Sequence, residues 1–281
     1  MPMSDPVRSR IARDLAERAL VRLVLAYGDT PEFVLLGGLV PDLLCRNAVR
    51  KHQGTTDVDV QVNLEMLGQS VNSARLERAL RDCEFTPDDQ RVWRWRDGSP
   101  TEMIVKIEFL ADLADVEDRK TLIFDGCVSL GAINLRGTGF VARDWTVRSF
   151  AAEIDGATMT VQIRVATLPA YLLTKSHAAH SRGLTKDWYD IAYVLLHNDA
   201  GGPSEAAQLT FNRFGSELVG ATDTVIGELA ANFATADSQG SLAYAITMTS
   251  LHPDLDEDVL ANDAVEAVRI FVTALRSRTR E

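Results

Sequence analysis

Hydrophobic positions follow two different periods along this chain. Up to about residue 166, short runs that alternate polar and apolar residues stand among runs with helical spacing, beginning with a helix predicted over residues 5–27. After Pro169 the helical spacing continues almost to Arg276. We therefore predict an α+β fold, with a mixed-sheet domain over residues 1–166 and a C-terminal helical bundle domain over residues 167–281.

The first strand signal ends in a pair of glycines. Residues 33–36 form a short β-rich run, Gly37 and Gly38 follow it, and residues 39–47 have a helical pattern with Pro41 in the first turn. Glycines in this position let a triphosphate approach the backbone N–H groups at the start of a helix. The same pair is also the ordinary composition of a tight turn, so both interpretations stand.

Residues 57–62 read Asp-Val-Asp-Val-Gln-Val, which is the clearest alternation in the chain. On a strand, Asp57 and Asp59 share one face, close enough to share divalent ions at the roughly 3.5–4 Å spacing of two-metal sites. Aspartate is depleted in strands, so a solvated edge strand explains the pair less well than a metal site does. We predict that Asp57 and Asp59 hold two Mg²⁺ ions.

Glu108 is the candidate for a third carboxylate. It alternates with apolar residues in Val105-Lys106-Ile107-Glu108-Phe109, so it is expected to project beside Lys106 from a neighbouring strand. There it could hold one metal ion and accept the proton of an attacking hydroxyl. A single polar residue in a half-exposed strand is also commonplace.

Further elements are predicted inside the first domain from the same patterns and from turn residues. They are a helix over residues 73–83, strands over residues 90–96 and 102–110 with a turn at 97–100 between them, and a hairpin of residues 146–150 with 159–163. Asp155 and Gly156 supply the hairpin turn.

In Trp93-Arg94-Trp95-Arg96, the tryptophans share one face and the arginines the other. This favours core packing with a solvated back over a stacking platform for single-stranded nucleic acid.

A polar cluster opens the helical region, between Lys175 and Asp190. Lys175 could pair with phosphates as a point charge, and Arg182 could do so as a fork. Asp187 and Asp190 are i, i+3 neighbours at the start of the helix after Gly183. Acids in a first helical turn also favour the helix dipole, so a helix-start role and a catalytic role both remain open.

The charge and cysteine content exclude several classes of protein. A net charge of -11 argues against a protein that coats nucleic acid without specificity, and we expect no DNA partner. A local basic patch at Arg46, Arg50, Lys51 and His52 remains compatible with this balance. The 3 cysteines lack metal-ligand spacing, and no stretch approaches the roughly 18 apolar residues of a membrane span. We expect a cytoplasmic protein without a membrane partner.

Several of these motifs together resemble the nucleotidyltransferase-like toxins of the AbiEii/AbiGii and MenT type, which are polymerase-beta-like nucleotidyltransferases. The likeness spans residues of about 35 to 197 and rests on Leu36-Gly37-Gly38, Thr56-Asp57-Val58-Asp59-Val60, Lys175, Arg182 and Lys186-Asp187-Trp188-Tyr189-Asp190. Two features depart from the family pattern. The third carboxylate is a glutamate where aspartate is commoner, and His52-Gln53-Gly54-Thr55 stands where an arginine-rich run is usual.

The resemblance implies an NTP-dependent nucleotidyltransferase with a polymerase-beta-like domain. It implies that Asp57 and Asp59 hold metal and that Asp187 or Asp190 supports catalysis. It implies nucleotide contacts by Gly37, Gly38, Thr56, Lys175, Arg182 and Lys186. Members are toxins of toxin–antitoxin pairs and some add nucleotides to the 3′ end of tRNA, so a tRNA acceptor and a cognate antitoxin are expected.

Two other functions fit the same residues. One keeps the chemistry and changes the acceptor to a protein or to an aminoglycoside-like small molecule, for which the acidic balance of the chain would suit a cation. The other is a catalytically degenerate module that binds a nucleotide or a partner protein.

Overall fold

The computed structural model of this chain describes residues 10–62, 70–98 and 103–278, which divide into two compact units. The first unit takes in the chain up to Val40 together with Gln53–Ala166. The second takes in Pro41–His52 together with the chain from Thr167 onwards. The segment Pro41–His52 therefore packs with helices that lie more than a hundred positions later in the sequence.

The first unit is built on a mixed sheet, as predicted. Its described strands are β1 Phe33–Leu36, β2 Asp57–Val62, β3 Phe85–Asp88, β4 Arg91–Asp97, β5 Lys106–Ala111, β6 Thr121–Ile123, β7 Gly131–Asn134, β8 Trp145–Ile154 and β9 Ala157–Ala166. The strand order is β3-β4-β5-β2-β1-β9-β8, and β7 pairs with both β5 and β6. At its centre β2 runs parallel to β5 and antiparallel to β1. Val58, Val60 and Val62 of β2 are buried, whereas Asp57 and Asp59 are half-buried.

Helices cover the first unit in part and form all the regular structure in the described part of the second. The described helices are α1 Arg10–Tyr27, α2 Pro41–Leu44, α3 Ser70–Asp82, α4 Gly139–Arg143, α5 Leu168–Arg182, α6 Thr185–His197, α7 Pro203–Phe214, α8 Ala221–Asn232, α9 Gln239–Leu251 and α10 Glu257–Arg278. In the first unit α1 packs against β8 and α3. In the second, α6 packs against α5, α9 and α10. None of the helices in the described ranges has the length and apolarity of a membrane span.

Local sequence explains the helix that carries Lys175. The Thr167 side chain caps α5 by accepting from the Ala170 N–H at 3.5 Å, and Pro169 lies in the first turn. The helix ends at Gly183, whose φ of 60° is the left-handed conformation that glycine adopts without a steric penalty. The turn places Lys175 and Arg182 on one helix and the two acids of the polar cluster on the next.

Two predicted elements need correction. The helix expected over residues 39–47 is a 3-10 turn at Gly37–Leu39 followed by the short α2. Beyond α2 the backbone N–H groups of Arg46 and Asn47 donate to the Asp199 carboxylate at 3.1 and 3.0 Å, which replaces helical hydrogen bonds. The strand expected from residue 102 begins at Lys106.

The predicted hairpin is confirmed. The hairpin is formed by β8 and β9, with Ile154 paired to Ala157 across a turn in which Asp155 and Gly156 have φ of 51° and 79°. Positive φ at both central residues is the geometry of a two-residue hairpin turn. Residues 5–9 of the opening helix and residues 99–100 of the predicted turn lie outside the described residues.

Candidate active site

Three carboxylates lie on one face of the first unit's sheet. Asp59 is opposite Glu108 on β5 and opposite Leu36 at the end of β1. Asp57 precedes Asp59 by two positions and is opposite Lys106. Because side chains two apart on a strand project from the same face, the structure brings the three predicted carboxylates together on this surface.

Gly37 makes room for one of these carboxylates. Its φ is 75°, and a Cβ built on it would lie 2.0 Å from Oδ2 of Asp59. A Cβ on Gly38 would lie 2.8 Å from Cβ of Thr55. Non-bonded atoms do not come this close in proteins. A side chain at either glycine would therefore clash with the residue that approaches it. Gly37 thus lets Asp59 lie beside the turn that follows β1, and Gly38 lets Thr55 approach the same turn.

Two buried polar atoms at the start of β2 lack a hydrogen-bond partner within the described part of the chain. Oδ1 of Asp57 and Oγ1 of Thr56 are buried, and neither has a hydrogen-bond partner among the described residues. The nearest cation to Asp57 is Nζ of Lys106, 4.0 Å from Oδ1. A buried polar atom without a partner costs about 1–3 kcal/mol, and such atoms are typical of sites that a ligand completes.

The donor set fits a magnesium ion. Mg²⁺ prefers oxygen ligands and is usually held by one or two carboxylates together with the phosphates of a substrate. Asp57 and Asp59 supply two such carboxylates. Within the described ranges, no group of three or more histidine, cysteine, aspartate or glutamate side chains could hold a metal ion. An ion here would therefore take its remaining ligands from substrate or water.

Glu108 is paired with an arginine. Nε and Nη2 of Arg94 on β4 lie 2.7 and 2.5 Å from Oε1 of Glu108. Burial and the neighbouring charge of Asp59 raise the pKa of Glu108 to about 7, although Arg94 acts in the opposite direction.

Trp95, on the other face of β4, is fully buried, so the core-packing interpretation is confirmed for this residue.

In the second unit the predicted polar cluster forms a buried ionic network. Nζ of Lys175 lies 3.0 Å from Oδ1 of Asp187 and 2.6 Å from Oδ2 of Asp190. Arg182 donates to both oxygens of Asp187, at 3.0 and 2.9 Å. Both aspartates have no exposed side-chain surface, whereas Arg182 is 43% exposed. Lys186 is half-buried on α6.

The network fixes the charge of its lysine. Burial alone would lower the pKa of Lys175, but the carboxylates of Asp190 and Asp187 outweigh burial and raise it. Lys175 therefore stays protonated. Two of its three N–H donors point to these aspartates, which leaves a third for another acceptor.

His52 is a member of this network that the sequence did not reveal. Its Nε2 lies 2.8 Å from Oδ1 of Asp190, and its ring stacks on Tyr189 with centroids 5.0 Å apart. A carboxylate only accepts hydrogen bonds, so Nε2 is the donor. In the sequence His52 stands beside Arg50 and Lys51, which predicts a local basic patch. The structure instead buries it completely.

Replacing Gly37 by alanine is expected to impair the carboxylate site more than it impairs the fold. Any L-residue at this φ costs about 1–2 kcal/mol, and the new Cβ would also displace Asp59. Gly156 is the matched control, because its φ is 79° and a Cβ there would meet nothing within 4 Å. Urea unfolding should show a larger loss for Gly37→Ala than for Gly156→Ala, and only Gly37→Ala should weaken Mn²⁺ binding. Equal effects of the two changes would contradict the role assigned to Gly37.

A comparison with known protein families matches part of the chain. The family model described as "Nucleotidyl transferase AbiEii toxin, Type IV TA system" matches residues 132–267. The resemblance seen in the sequence is confirmed over this range, which contains the network of Lys175, Arg182, Asp187 and Asp190. Asp57, Asp59 and Glu108 precede the matched range. No curated protein matches the chain.

Proposed function

We propose, from the premise that residues 132–267 match the family of AbiEii nucleotidyl transferase toxins, that this chain is a Mg²⁺-dependent nucleotidyltransferase of the polymerase-beta-like kind. It transfers a nucleoside monophosphate from an NTP to an acceptor hydroxyl. The observation that carries the proposal is Oδ1 of Asp57, a buried atom without a hydrogen-bond partner among the described residues. It lies on the same sheet face as Asp59, whose carboxylate occupies the space that Gly37 leaves.

In this proposal the first unit supplies the reacting groups. Asp57 and Asp59 hold Mg²⁺, and the Gly37-Gly38 turn admits the triphosphate without a Cβ in the way. The acceptor oxygen bonds to the α-phosphorus as the bond to pyrophosphate breaks, and Glu108, whose pKa is about 7, accepts the hydroxyl proton. Mg²⁺ supplies positive charge against the negative charge that develops on the phosphoryl group.

Lys175 is the proposed phosphate contact of the second unit. Its charge is fixed by Asp187 and Asp190, and its third N–H donor is available to a phosphate oxygen. The two aspartates then act by orienting the lysine. Arg182 and Lys186, which are more exposed, are proposed to contact the nucleotide as well.

The proposed acceptor is the 3′ end of tRNA, and the proposed partner is a cognate antitoxin. The family match supports the antitoxin, because its description is that of a toxin in a toxin–antitoxin system. The tRNA acceptor rests on the resemblance described in the sequence analysis. A small-molecule or protein acceptor is the alternative, and the net charge of -11 is the observation that favours a cationic one.

Labelled nucleotides test this proposal. The purified chain is incubated with Mg²⁺, total tRNA and each α-³²P-labelled NTP in turn, and the products are separated on a denaturing gel. We expect label in the tRNA band with at least one NTP and none when EDTA replaces Mg²⁺. Label in the protein or in an added aminoglycoside would move the assignment to that acceptor. Absence of transfer to every acceptor would leave a nucleotide- or partner-binding module.

A further inference from the structure

The arginine that pairs with Glu108 changes the number of carboxylates available to metal. We propose that the site binds one divalent cation through Asp57 and Asp59, and that Arg94 keeps Glu108 out of the ligand set. The inference rests on the proposed function only in taking this face as the metal site. It concerns the stoichiometry of the metal, which can be measured without any transfer reaction.

The pairing of Arg94 with Glu108 is built into the sheet. The two residues are directly opposite each other across the antiparallel β4–β5 ladder. Nε and Nη2 of Arg94 both approach Oε1 of Glu108. Their side chains are only 18% and 17% exposed, so solvent screens the pair weakly. Charge-assisted hydrogen bonds of this length are about twice as strong as neutral ones.

The neighbouring cations on this side of the sheet are placed beside other acids. Arg96, two positions later on β4, is 2.6 Å from Asp88 of β3, so that carboxylate already has its cation. Lys106 stands beside Asp57 at 4.0 Å. Both contacts of Arg94 are with Oε1, so a divalent ion on Glu108 would lie close to a guanidinium, and like charges repel strongly at such separations.

Asp57 is in the opposite situation from Glu108. Its Oδ1 is buried without a hydrogen-bond partner among the described residues, whereas Oε1 of Glu108 accepts a hydrogen bond from Nε of Arg94 and lies 2.5 Å from Nη2 of the same guanidinium. The guanidinium of Arg94 then supplies the third carboxylate with the positive charge that a second ion would otherwise supply. Arg94 is therefore a positioning residue, which holds Glu108 in place through the ion pair.

Titration with Mn²⁺ alone, followed by electron paramagnetic resonance of the free ion, tests the inference. We expect one Mn²⁺ per chain and the same affinity in Glu108→Gln. Asp57→Asn should weaken binding by more than about 10–100-fold, which is the loss typical of outer groups that only orient a ligand. Arg94→Met should free Glu108 and either tighten binding or add a second Mn²⁺, with Arg94→Lys as the variant that retains the charge.

Three results would overturn the inference: two Mn²⁺ per wild-type chain, an equal loss of affinity in Glu108→Gln and Asp57→Asn, or no binding at all. Transfer activity is scored separately with labelled NTP. One bound Mn²⁺ without transfer to any acceptor would reject the proposed function and retain the one-ion site. Transfer together with Mn²⁺ binding that depends on Glu108 would reject only the one-ion site.

Discussion

Replacing Asp57 by asparagine is expected to lower nucleotidyl transfer by at least about 10²–10³-fold, the range for losing one preorganised charge-stabilising group. The amide has nearly the same shape as the carboxylate but carries no charge, so it holds Mg²⁺ poorly. Oδ1 of Asp57 has no hydrogen-bond partner among the described residues, so the fold should tolerate the change. The initial rate of NMP incorporation and the thermal unfolding midpoint measure the two effects.

Asp89→Asn is the control for this experiment. Asp89 is an exposed aspartate of the same unit, in the turn between β3 and β4, and the change removes the same charge away from the site. We expect Asp89→Asn to retain wild-type rates. If Asp57→Asn also retained them, Asp57 would not be a catalytic ligand and the proposed site would be wrong.

The second large effect is on stability. Asp190→Asn is expected to destabilise the second unit by about 3–5 kcal/mol, the range for removing one partner of a buried ion pair. Asp190 is fully buried and accepts from Lys175 at 2.6 Å and from His52 at 2.8 Å. Without its charge, Lys175 would share a single aspartate with Arg182. Urea unfolding followed by tryptophan fluorescence measures the loss, because Trp188 lies buried on the same helix.

An exposed ion pair in the same unit provides the matched control. Asp254 is 71% exposed and lies 3.1 Å from Nη2 of Arg50. Exposed pairs of this kind contribute about 0–1 kcal/mol, so Asp254→Asn should change the free energy of unfolding little. Similar losses in Asp190→Asn and Asp254→Asn would mean that burial does not strengthen the network.

Features that depend on nearest neighbours in the sequence could be predicted. The alternation of residues 57–62 fixes which side chains share a face, and Asp155-Gly156 fixes the turn of the hairpin. Glu108 followed from its own alternation, and the parallel pairing of β2 with β5 then placed it opposite Asp59. Strand periodicity was therefore sufficient to predict the three carboxylates of the candidate site.

Features that depend on distant partners could not be predicted. His52 is 138 positions from Asp190, and nothing in the local sequence distinguishes it from the solvated basic residues beside it. Arg94 was assigned to a solvated face because its pairing with Glu108 depends on the β4–β5 register. The helical pattern of residues 39–47 was overridden by Asp199, whose carboxylate takes two backbone donors of that segment.

The grouping of Pro41–His52 with the helical unit bears on how this protein can be dissected. A fragment ending at residue 166 would carry that segment without Asp190, Asp199 and Tyr193, which bind it. A fragment beginning at residue 167 would lack His52 and would leave Asp190 with an unfilled acceptor site. The two units are thus interleaved along the polypeptide, and the position at which periodicity changes is unsuitable for separating them by truncation.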